Sequence, residues 1–599
     1  HHSSLTTQTT KHLEIQSNTT NTSETRVVLE SLHPLLVDLM MMMKAMRLSM
    51  TWTIATILTL GSVTAFTLQP LHRTLCSTQT ILYASTTGSI MDERCDVAIF
   101  GGGFGGLYTA LALSRQARLQ RQRLEILLVD PSERFVFLPL LYDLVVGTAS
   151  EAEVCPTFQD LLQDTGIRHV RASMDGFTSP DLYAATITRP NGDASRVHFR
   201  AAVVAVGATP QSTLASIPGA TNYTQPFYTR ENAYETKLLL EKMERRITSG
   251  VRPRMAIIGG GYGGVELAAC VKRRLSQCQV SLLTRGAPMK GTRAEPLVDK
   301  ALSRLGVEVE LCAVQSVVPS TETSTPSKDK VMIVRSTVGD ESVPIHDNQP
   351  WDAVLWTAGS GPAYPVCDQV LGLKQVPGSG RLEVDTTLRC TWADATETPR
   401  KPPVWALGDC SQIIDPSASF EVPKTAQAAI QQADVVAANV LADITGTTTE
   451  RKFQYQDLGS MLSLGGPNAA VLAPKDDTAL GPVFSTLLDT TRVGLDLADG
   501  ILTQLTKSPA GEKTGIGPLV ENLGLSLGGY GLGVDTESAP GTLSGTLSGA
   551  ARRAIYSLRM PTNRQRARSA VLGALSTAAA LSKEIADQID KSNEGKRNV

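Results

Sequence analysis

Two glycine-rich fingerprints, each directly after a short apolar stretch, constrain the fold of this chain more than any other feature. Both follow the pattern Gly-x-Gly-x-x-Gly, in which the first glycine makes a tight turn, the second lets a phosphate approach the backbone, and the third lets a helix pack closely on a strand. The three positions are Gly101, Gly103 and Gly106 in the first fingerprint and Gly259, Gly261 and Gly264 in the second. Two such motifs in one chain predict two dinucleotide sites, which is typical of electron transfer.

The first fingerprint lies in a complete β-α-β unit. Apolar residues 95–100 precede it, a helix-forming stretch 107–113 follows it, and a second apolar run, 124–129, ends at Asp130. Free N–H groups at the start of the helix, beside Phe104, are placed to hold a pyrophosphate, and the Asp130 carboxylate is placed to accept a ribose hydroxyl. The unit therefore predicts dinucleotide binding rather than a turn that serves packing alone.

The second unit ends differently. Its returning strand, 279–283, is followed by Thr284 and Arg285, where the ribose-binding carboxylate usually stands. A 2′-phosphate would meet no repulsion there, and Arg285 would offer it a cation. The sequence thus favours NADPH at least as much as NADH, unless Arg285 is only a solvated loop residue.

A third motif indicates which cofactor each of the two sites binds. An apolar stretch ends in Gly408 and Asp409. This pair resembles the Gly-Asp motif of flavoproteins with two dinucleotide-binding domains, in which the aspartate contacts the ribityl and phosphate part of FAD. Two segments look like the crossover connections of that architecture, namely 202–210 with Gly207 and 353–359 with Gly359. The resemblance implies FAD at the first fingerprint and NAD(P)H at the second.

The expected fold is α/β, with tandem Rossmann-like domains in which the NAD(P) domain interrupts the FAD domain, followed by a membrane-associating helical tail. The expected boundaries are 1–65 for an upstream region and signal peptide, 66–90 for a transit-like segment, 94–222 for the first part of the FAD domain, 223–375 for the NAD(P)H domain, 376–450 for the second part of the FAD domain, and 451–599 for the C-terminal region.

The nine cysteines argue against a disulfide reductase. No two of them are spaced as Cys-x-x-Cys or Cys-x-x-x-x-Cys, the close redox pair that such an enzyme needs beside its flavin. Sulfide:quinone reductases use more widely separated cysteines, and Cys155 with Cys367 would be such a pair. Two small buried hydrophobic residues are the competing interpretation.

Downstream of the Gly-Asp motif, the chain contains Ala-Gln-x-x-x-Gln at residues 426–431. This sequence resembles the quinone-site motif of the type II NAD(P)H:quinone dehydrogenases, and the resemblance extends over roughly residues 94–471. Gln427 and Gln431 are four residues apart, so on a helix both amides project from one face and can hydrogen-bond the carbonyls of a quinone. Two exposed glutamines on an amphipathic helix are the alternative.

The resemblance implies a two-step reaction, in which NAD(P)H reduces FAD and the flavin passes two electrons to a membrane quinone. Glu266 matches a family glutamate that helps to place the nicotinamide. Lys424 is a candidate for stabilising the anionic flavin or quinol, with a surface lysine as the simpler interpretation. Two other activities stay open: reduction of a protein acceptor, as in ferredoxin reductase or apoptosis-inducing factor, and sulfide:quinone reduction. No metal cluster is apparent.

The tail, residues 543–562, resembles the end of the plastid NAD(P)H dehydrogenases of the C1 type, which are demethylphylloquinone reductases. Six arginines and no acidic residue lie from Arg552 to Arg568, with Leu558 and Val571 as apolar partners. We expect such a helix to lie on an anionic membrane, because a quinone with an isoprenoid tail cannot leave the lipid. Packing on the FAD domain, or on a second subunit in a homodimer, is the alternative.

The N-terminus predicts the cellular address. Arg47 precedes an apolar run, 50–60, that ends in small residues, and residues 66–90 contain many hydroxyls and no Asp or Glu. This arrangement resembles the bipartite leader of algae whose plastids have extra membranes, with an ordinary secretory signal as the alternative. We therefore expect a plastid protein, peripheral on the thylakoid membrane or on plastoglobules. The net charge of −2 predicts no nucleic-acid partner.

Overall fold

A computed structural model describes residues 92–178, 183–209, 211–320, 330–338, 340–346, 349–363, 372–393, 401–414, 421–447, 450–465, 468–473, 542–576 and 579. The predicted leader, at 1–90, and Cys367 lie outside the described residues. The chain divides into two compact units, and all described residues belong to the unit formed by Thr87–Leu502 and Glu521–Val599.

The strands range from two to twelve residues in length. In chain order they are β1 (Asp92–Arg94), β2 (Val97–Phe100), β3 (Ile126–Asp130), β4 (Arg168–Arg171), β5 (Ser173–Phe177), β6 (Ala184–Thr188), β7 (Ala194–His198), β8 (Ala201–Val204), β9 (Ala208–Thr209), β10 (Gln225–Pro226), β11 (Arg254–Ile258), β12 (Gln279–Thr284), β13 (Glu308–Pro319), β14 (Val331–Thr337), β15 (Asp340–His346), β16 (Ala353–Trp356), β17 (Gly361–Pro362), β18 (Leu382–Val384), β19 (Val404–Ala406), β20 (Ser411–Ile413), β21 (Ser460–Ser463), β22 (Ala469–Leu472) and β23 (Thr542–Gly545).

The α-helices are α1 (Phe104–Leu119), α2 (Leu141–Val146), α3 (Glu151–Val154), α4 (Phe158–Leu162), α5 (Gln211–Ser216), α6 (Ala220–Tyr223), α7 (Arg230–Thr248), α8 (Tyr262–Arg274), α9 (Glu295–Leu305), α10 (Ala426–Thr445), α11 (Thr546–Arg559) and α12 (563–576). Two 3-10 turns cover Leu138–Leu140 and Gly408–Cys410.

The first large sheet draws its strands from distant parts of the chain. Its order is β19-β8-β2-β3-β4, and all neighbours are parallel. The central strands β2 and β8 are buried along their whole length, as expected for a parallel sheet covered on both faces. In the chain, β19 follows all the strands of the second sheet, yet it pairs within the first sheet. The second domain therefore interrupts the first. The predicted two-domain α/β fold is thereby confirmed.

The second large sheet has the order β10-β16-β11-β12-β13-β14-β15. Along this order, the neighbours from β10 through β16, β11 and β12 to β13 pair in parallel. Strands β13, β14 and β15 form an antiparallel meander. Strand β9 after the first sheet and strand β17 after the second pair antiparallel to each other. The predicted crossover segment 202–210 therefore runs beside the residues that directly follow the other one, 353–359.

The C-terminal tail packs on the folded domains through its first helix. Strand β23 pairs with β22 and leads directly into α11. Two arginines that were expected on a membrane surface, Arg552 and Arg553, are instead only 2% and 7% exposed. That expectation is wrong for these residues, because Asp143 and Glu153 of the first domain neutralise them inside the protein. No helix in the described part of the chain is both long and apolar enough to cross a membrane.

Candidate functional site

The first fingerprint forms the connection between β2 and α1. Gly101 has a φ of +103°, and a Cβ atom on Gly106 would lie 1.7 Å from the carbonyl oxygen of Gly101, so a side chain at either position would be strained or would clash. A Cβ atom on Gly103 would meet nothing within 4 Å. The start of α1 carries no side-chain cap. The N–H groups at the start of the helix are therefore not capped by a side chain, and the open position at Gly103 leaves a ligand oxygen free to approach them.

Asp130 ends β3 beside this turn. Its Oδ2 atom accepts a hydrogen bond from the backbone N–H of Gly102 at 2.6 Å, and its Oδ1 atom accepts one from Ser132 at 2.7 Å. Burial raises the pKa of Asp130, and the two backbone N–H donors oppose that shift. The carboxylate thus holds the turn in place and keeps lone pairs for a ribose hydroxyl.

The second fingerprint, between β11 and α8, has the same geometry. A Cβ atom on Gly261 would meet nothing within 4 Å, and α8 also begins without a side-chain cap. Thr284 packs against Gly260, just as Asp130 packs against Gly102 in the first turn. The Thr284 hydroxyl donates to the carbonyl oxygen of Gly286 at 3.0 Å, and the next residue, Arg285, is exposed. The two turns therefore fit two dinucleotides and differ in charge at the ribose end.

The Gly-Asp motif lies in the 3-10 turn after β19. Burial raises the pKa of Asp409, while the neighbouring cations Lys424 and Arg381 lower it. Arg381 also donates from Nε to the Asp409 carbonyl oxygen at 3.0 Å. Lys424 donates from Nζ to the Ser411 carbonyl oxygen at 2.9 Å, and burial lowers its pKa. Lys424 is thus half-buried beside the flavin motif rather than a free surface lysine.

Helix α10 begins with the two glutamines of the predicted quinone motif. The Gln427 Oε1 atom accepts a hydrogen bond from the Tyr455 hydroxyl at 2.7 Å, and its Nε2 atom lies 3.4 Å from the Gly459 carbonyl oxygen. Gln431 is bound twice by the backbone of Gln456, with distances of 2.8 Å and 3.0 Å. Both amides therefore face one segment, residues 455–459, on one side of the helix.

Gln432 connects the quinone helix to the flavin motif. This residue is 4% exposed, and its Oε1 atom accepts a hydrogen bond from the Gly408 backbone N–H at 2.8 Å. Sequence reasoning missed it, since a third glutamine directly after Gln431 falls on a different face of the helix from the motif residues. The signal available in the sequence was a polar residue on a helix face that otherwise consists mainly of alanine and valine, which indicates a buried hydrogen bond.

Glu266 lies in the second turn of α8 and is buried. Its Oε1 atom accepts a hydrogen bond from the Ser463 backbone N–H at 2.7 Å and lies 3.7 Å from Nη2 of Arg552. Burial raises the pKa of Glu266 to about 7, Arg552 and the Ser463 N–H lower it, and Asp143 raises it further. A carboxyl group with such a pKa exchanges a proton near neutral pH.

Arg552 links the tail to both domains. Its Nη1 atom lies 3.0 Å from Oδ2 of Asp143 on α2, and its Nη2 atom faces Glu266 on α8. The adjacent Arg553 pairs with Glu153 at 3.1 Å. No sequence pattern predicted this cluster, because Asp143 and Arg552 are 409 residues apart.

The described cysteines, seven of the nine, form no disulfide. Cys155 is fully buried, and burial raises the pKa of its thiol to about 12. It is therefore protonated at neutral pH and matches the small buried residue of the competing interpretation. Its suggested partner, Cys367, lies outside the described residues.

Known proteins resemble this chain in sequence and fold. The profile of the pyridine nucleotide-disulphide oxidoreductase family matches residues 95–433. The alternative NAD(P)H-ubiquinone oxidoreductase C1, chloroplastic/mitochondrial, of Arabidopsis thaliana is 33% identical over 404 residues, which cover 63% of this chain and 73% of that protein. The demethylphylloquinone reductase NdbB of Synechocystis is 30% identical over 384 residues, with coverage of 63% and 87%.

Among solved structures, NDH2 from Plasmodium falciparum in complex with NADH superposes with a TM-score of 0.51 at 16% identity. The superposition covers 68% of this chain and 94% of that one. At this identity the likeness shows a common fold.

Proposed function

The chain belongs to the pyridine nucleotide-disulphide oxidoreductase family and, within it, to the type II NAD(P)H:quinone dehydrogenases, and on that premise we propose that it passes two electrons from NAD(P)H through FAD to a quinone. The observation that carries the proposal is one short segment, residues 455–463, that joins the sites. At one end it hydrogen-bonds Gln427 and Gln431, and at the other Ser463 hydrogen-bonds Glu266 of the NAD(P) domain.

The residues take distinct roles around the flavin. FAD, when bound, accepts a hydride from NAD(P)H and returns two electrons to a quinone. The N–H groups of the first fingerprint would hold the pyrophosphate of FAD, Asp130 would accept a ribose hydroxyl, and Asp409 would contact the ribityl and phosphate part. Gln427 binds a quinone carbonyl, and Lys424 places a cation where negative charge develops.

We infer that NADPH is the preferred donor. Thr284 places no carboxylate at the ribose end of the second fingerprint, and the exposed Arg285 follows it directly. A 2′-phosphate would meet no carboxylate there, and Arg285 would offer it a charge-assisted hydrogen bond.

The acceptor in this proposal is a membrane naphthoquinone or benzoquinone of the demethylphylloquinone or plastoquinone type. Support comes from the Synechocystis relative, which is named a demethylphylloquinone reductase, and the Arabidopsis relative, whose name assigns it to chloroplast and mitochondrion. We place the protein on the thylakoid membrane of the plastid. The exposed apolar side chains of the tail, Leu558, Val571 and Leu575, and its exposed Arg564 would supply apolar and basic groups for that contact.

The decisive experiment is steady-state oxidation of NADPH and NADH by the purified chain, with a naphthoquinone and a benzoquinone compared in anionic liposomes. We expect quinone-dependent oxidation that is faster with NADPH than with NADH. A flavin that NAD(P)H reduces but that no quinone reoxidises would overturn the proposal and favour a protein acceptor.

A further inference from the structure

We propose that Tyr455 is a positioning residue for quinone reduction, which holds the Gln427 amide so that its N–H group points to the quinone. The proposal rests on the proposed function, which places a quinone carbonyl at Gln427. It assigns to Tyr455 a role that the quinone motif itself does not contain, because Tyr455 lies 28 residues further along the chain.

Two neighbours fix the orientation of the Gln427 amide. Its Nε2 atom faces the Gly459 carbonyl oxygen at 3.4 Å, and a carbonyl oxygen can only accept a hydrogen bond. The nitrogen must therefore lie on that side, and Oε1 lies on the side of Tyr455. There the Tyr455 hydroxyl donates to Oε1 at 2.7 Å. Burial raises the pKa of Tyr455, so the hydroxyl keeps its proton at physiological pH.

This orientation suits a quinone. A quinone carbonyl is an acceptor only, so it needs a donor from the protein. The Gln427 oxygen is occupied by Tyr455, whereas one of the two Nε2 hydrogens has no partner among the described residues. A hydrogen bond from that N–H becomes stronger as the quinone oxygen gains negative charge, so it stabilises the product side of the electron transfer.

Gln431 contacts the same segment, residues 455–459, but has a different role. Its Nε2 atom donates to the carbonyl oxygen of Gln456, and its Oε1 atom accepts from the N–H of the same residue. This pair of hydrogen bonds fixes the backbone next to Tyr455. We therefore assign quinone contact to Gln427 and the placement of Tyr455 to Gln431.

The first test is Tyr455→Phe, which removes the hydroxyl and keeps the ring. In this variant only the 3.4 Å contact of Nε2 with the Gly459 carbonyl oxygen still orients the Gln427 amide, and kcat/KM for the quinone should fall about 3- to 10-fold, the value of one hydrogen bond. The rate of flavin reduction by NAD(P)H, followed by stopped flow, should stay at the wild-type value. A loss in both half-reactions would indicate a merely structural role and overturn the proposal. Tyr183→Phe is the matched control, because its hydroxyl donates to the Lys401 carbonyl oxygen instead.

A double-mutant cycle separates positioning from an independent effect. If Tyr455 acts through Gln427, Tyr455→Phe should cost nothing further in a Gln427→Ala background. Losses that multiply in the double variant would show that the two residues act separately, and the proposal would then be wrong.

Calorimetric titration of a naphthoquinone into the oxidised protein distinguishes this proposal from the proposed function. We expect Tyr455→Phe to weaken binding about 3- to 10-fold. Weaker binding of a quinone that the wild-type protein never reduces would support Tyr455 and refute the dehydrogenase activity. Equal binding by wild type and variant would overturn the Tyr455 role even if quinone reduction is observed, and no binding by the wild type would overturn both.

Discussion

At the scale of single residues, the two dinucleotide turns differ in the residue that packs against the second position of the fingerprint, which is Asp130 in the first turn and Thr284 in the second. Asp130 and Thr284 stand at the same place, each against the second residue of its fingerprint. The carboxylate of Asp130 already accepts two backbone hydrogen bonds, whereas the hydroxyl of Thr284 turns to its own loop. In our proposal, the second turn is the one that accepts the 2′-phosphate, and Arg285 supplies the cation.

The first prediction concerns this arginine. Arg285→Ala should raise KM for NADPH about tenfold and leave KM for NADH nearly unchanged, since only NADPH carries the 2′-phosphate. Steady-state kinetics with both donors at a fixed quinone concentration measure the difference. Arg121→Ala, which removes an exposed arginine from the FAD domain, serves as the control. Equal changes for NADPH and NADH would show that Arg285 does not contact the phosphate.

The second prediction concerns the buried carboxyl of Glu266. Its pKa is raised from 4.5 to about 7 in the folded protein. Between these values the folded state binds the proton more tightly than the unfolded state, so this group makes the protein less stable as pH rises from about 4.5 to 7. Glu266→Gln removes the titration, and its stability relative to wild type should therefore increase by about 3 kcal/mol between pH 4.5 and 8. Urea unfolding across that range checks this, and parallel stability curves for the two proteins would contradict it.

At the scale of elements, the sequence was most informative where the signal is local. The strand, turn and helix of each fingerprint are adjacent in the chain, and Gln427 and Gln431 lie on one helix, so spacing alone predicted their arrangement. The partners of these residues were not predictable. Tyr455 reaches Gln427 only because the segment after α10 folds back along it, and such long-range packing leaves no periodic pattern.

The tail also shows a limit of prediction from sequence. Its run of arginines has the composition of a membrane-surface helix, and composition alone does not distinguish arginines that meet lipid from arginines that meet buried carboxylates. Arg552 and Arg553 meet Asp143, Glu153 and Glu266, whereas Arg564 is exposed. Burial therefore divides one basic stretch into an anchoring part and an outward-facing part.

The third prediction tests this division. Arg552→Leu leaves the buried Glu266 without its cation and leaves Asp143 with Arg553 alone, at 3.6 Å, so it should lower the free energy of unfolding by about 3 to 5 kcal/mol. Arg564→Leu removes an exposed arginine that donates to Gln163, and it should change stability by less than about 0.5 kcal/mol. Thermal and urea unfolding of both variants provide the measurement. Equal effects would mean that the Arg552 cluster does not hold the tail.

At the scale of the whole molecule, the tail contacts both domains and also carries exposed apolar side chains. Arg552 touches α2 of the first domain and Glu266 of the second, so it ties α11 to both domains. The outer side of α11 and α12 keeps Leu558, Val571 and Leu575 exposed at 46%, 60% and 64%. We predict that these side chains form the membrane contact of the proposed function.

The last prediction follows from that geometry. The triple variant Leu558→Ser, Val571→Ser and Leu575→Ser should bind anionic liposomes at least about tenfold more weakly, since each side chain loses apolar area that lipid would bury. Its melting temperature and its activity with a water-soluble quinone should stay at wild-type values, because the three side chains are exposed in the folded protein. Leu119→Ser, at an exposed leucine on α1, is the matched control. Wild-type sedimentation of the triple variant with liposomes would show that the protein meets the membrane through another surface.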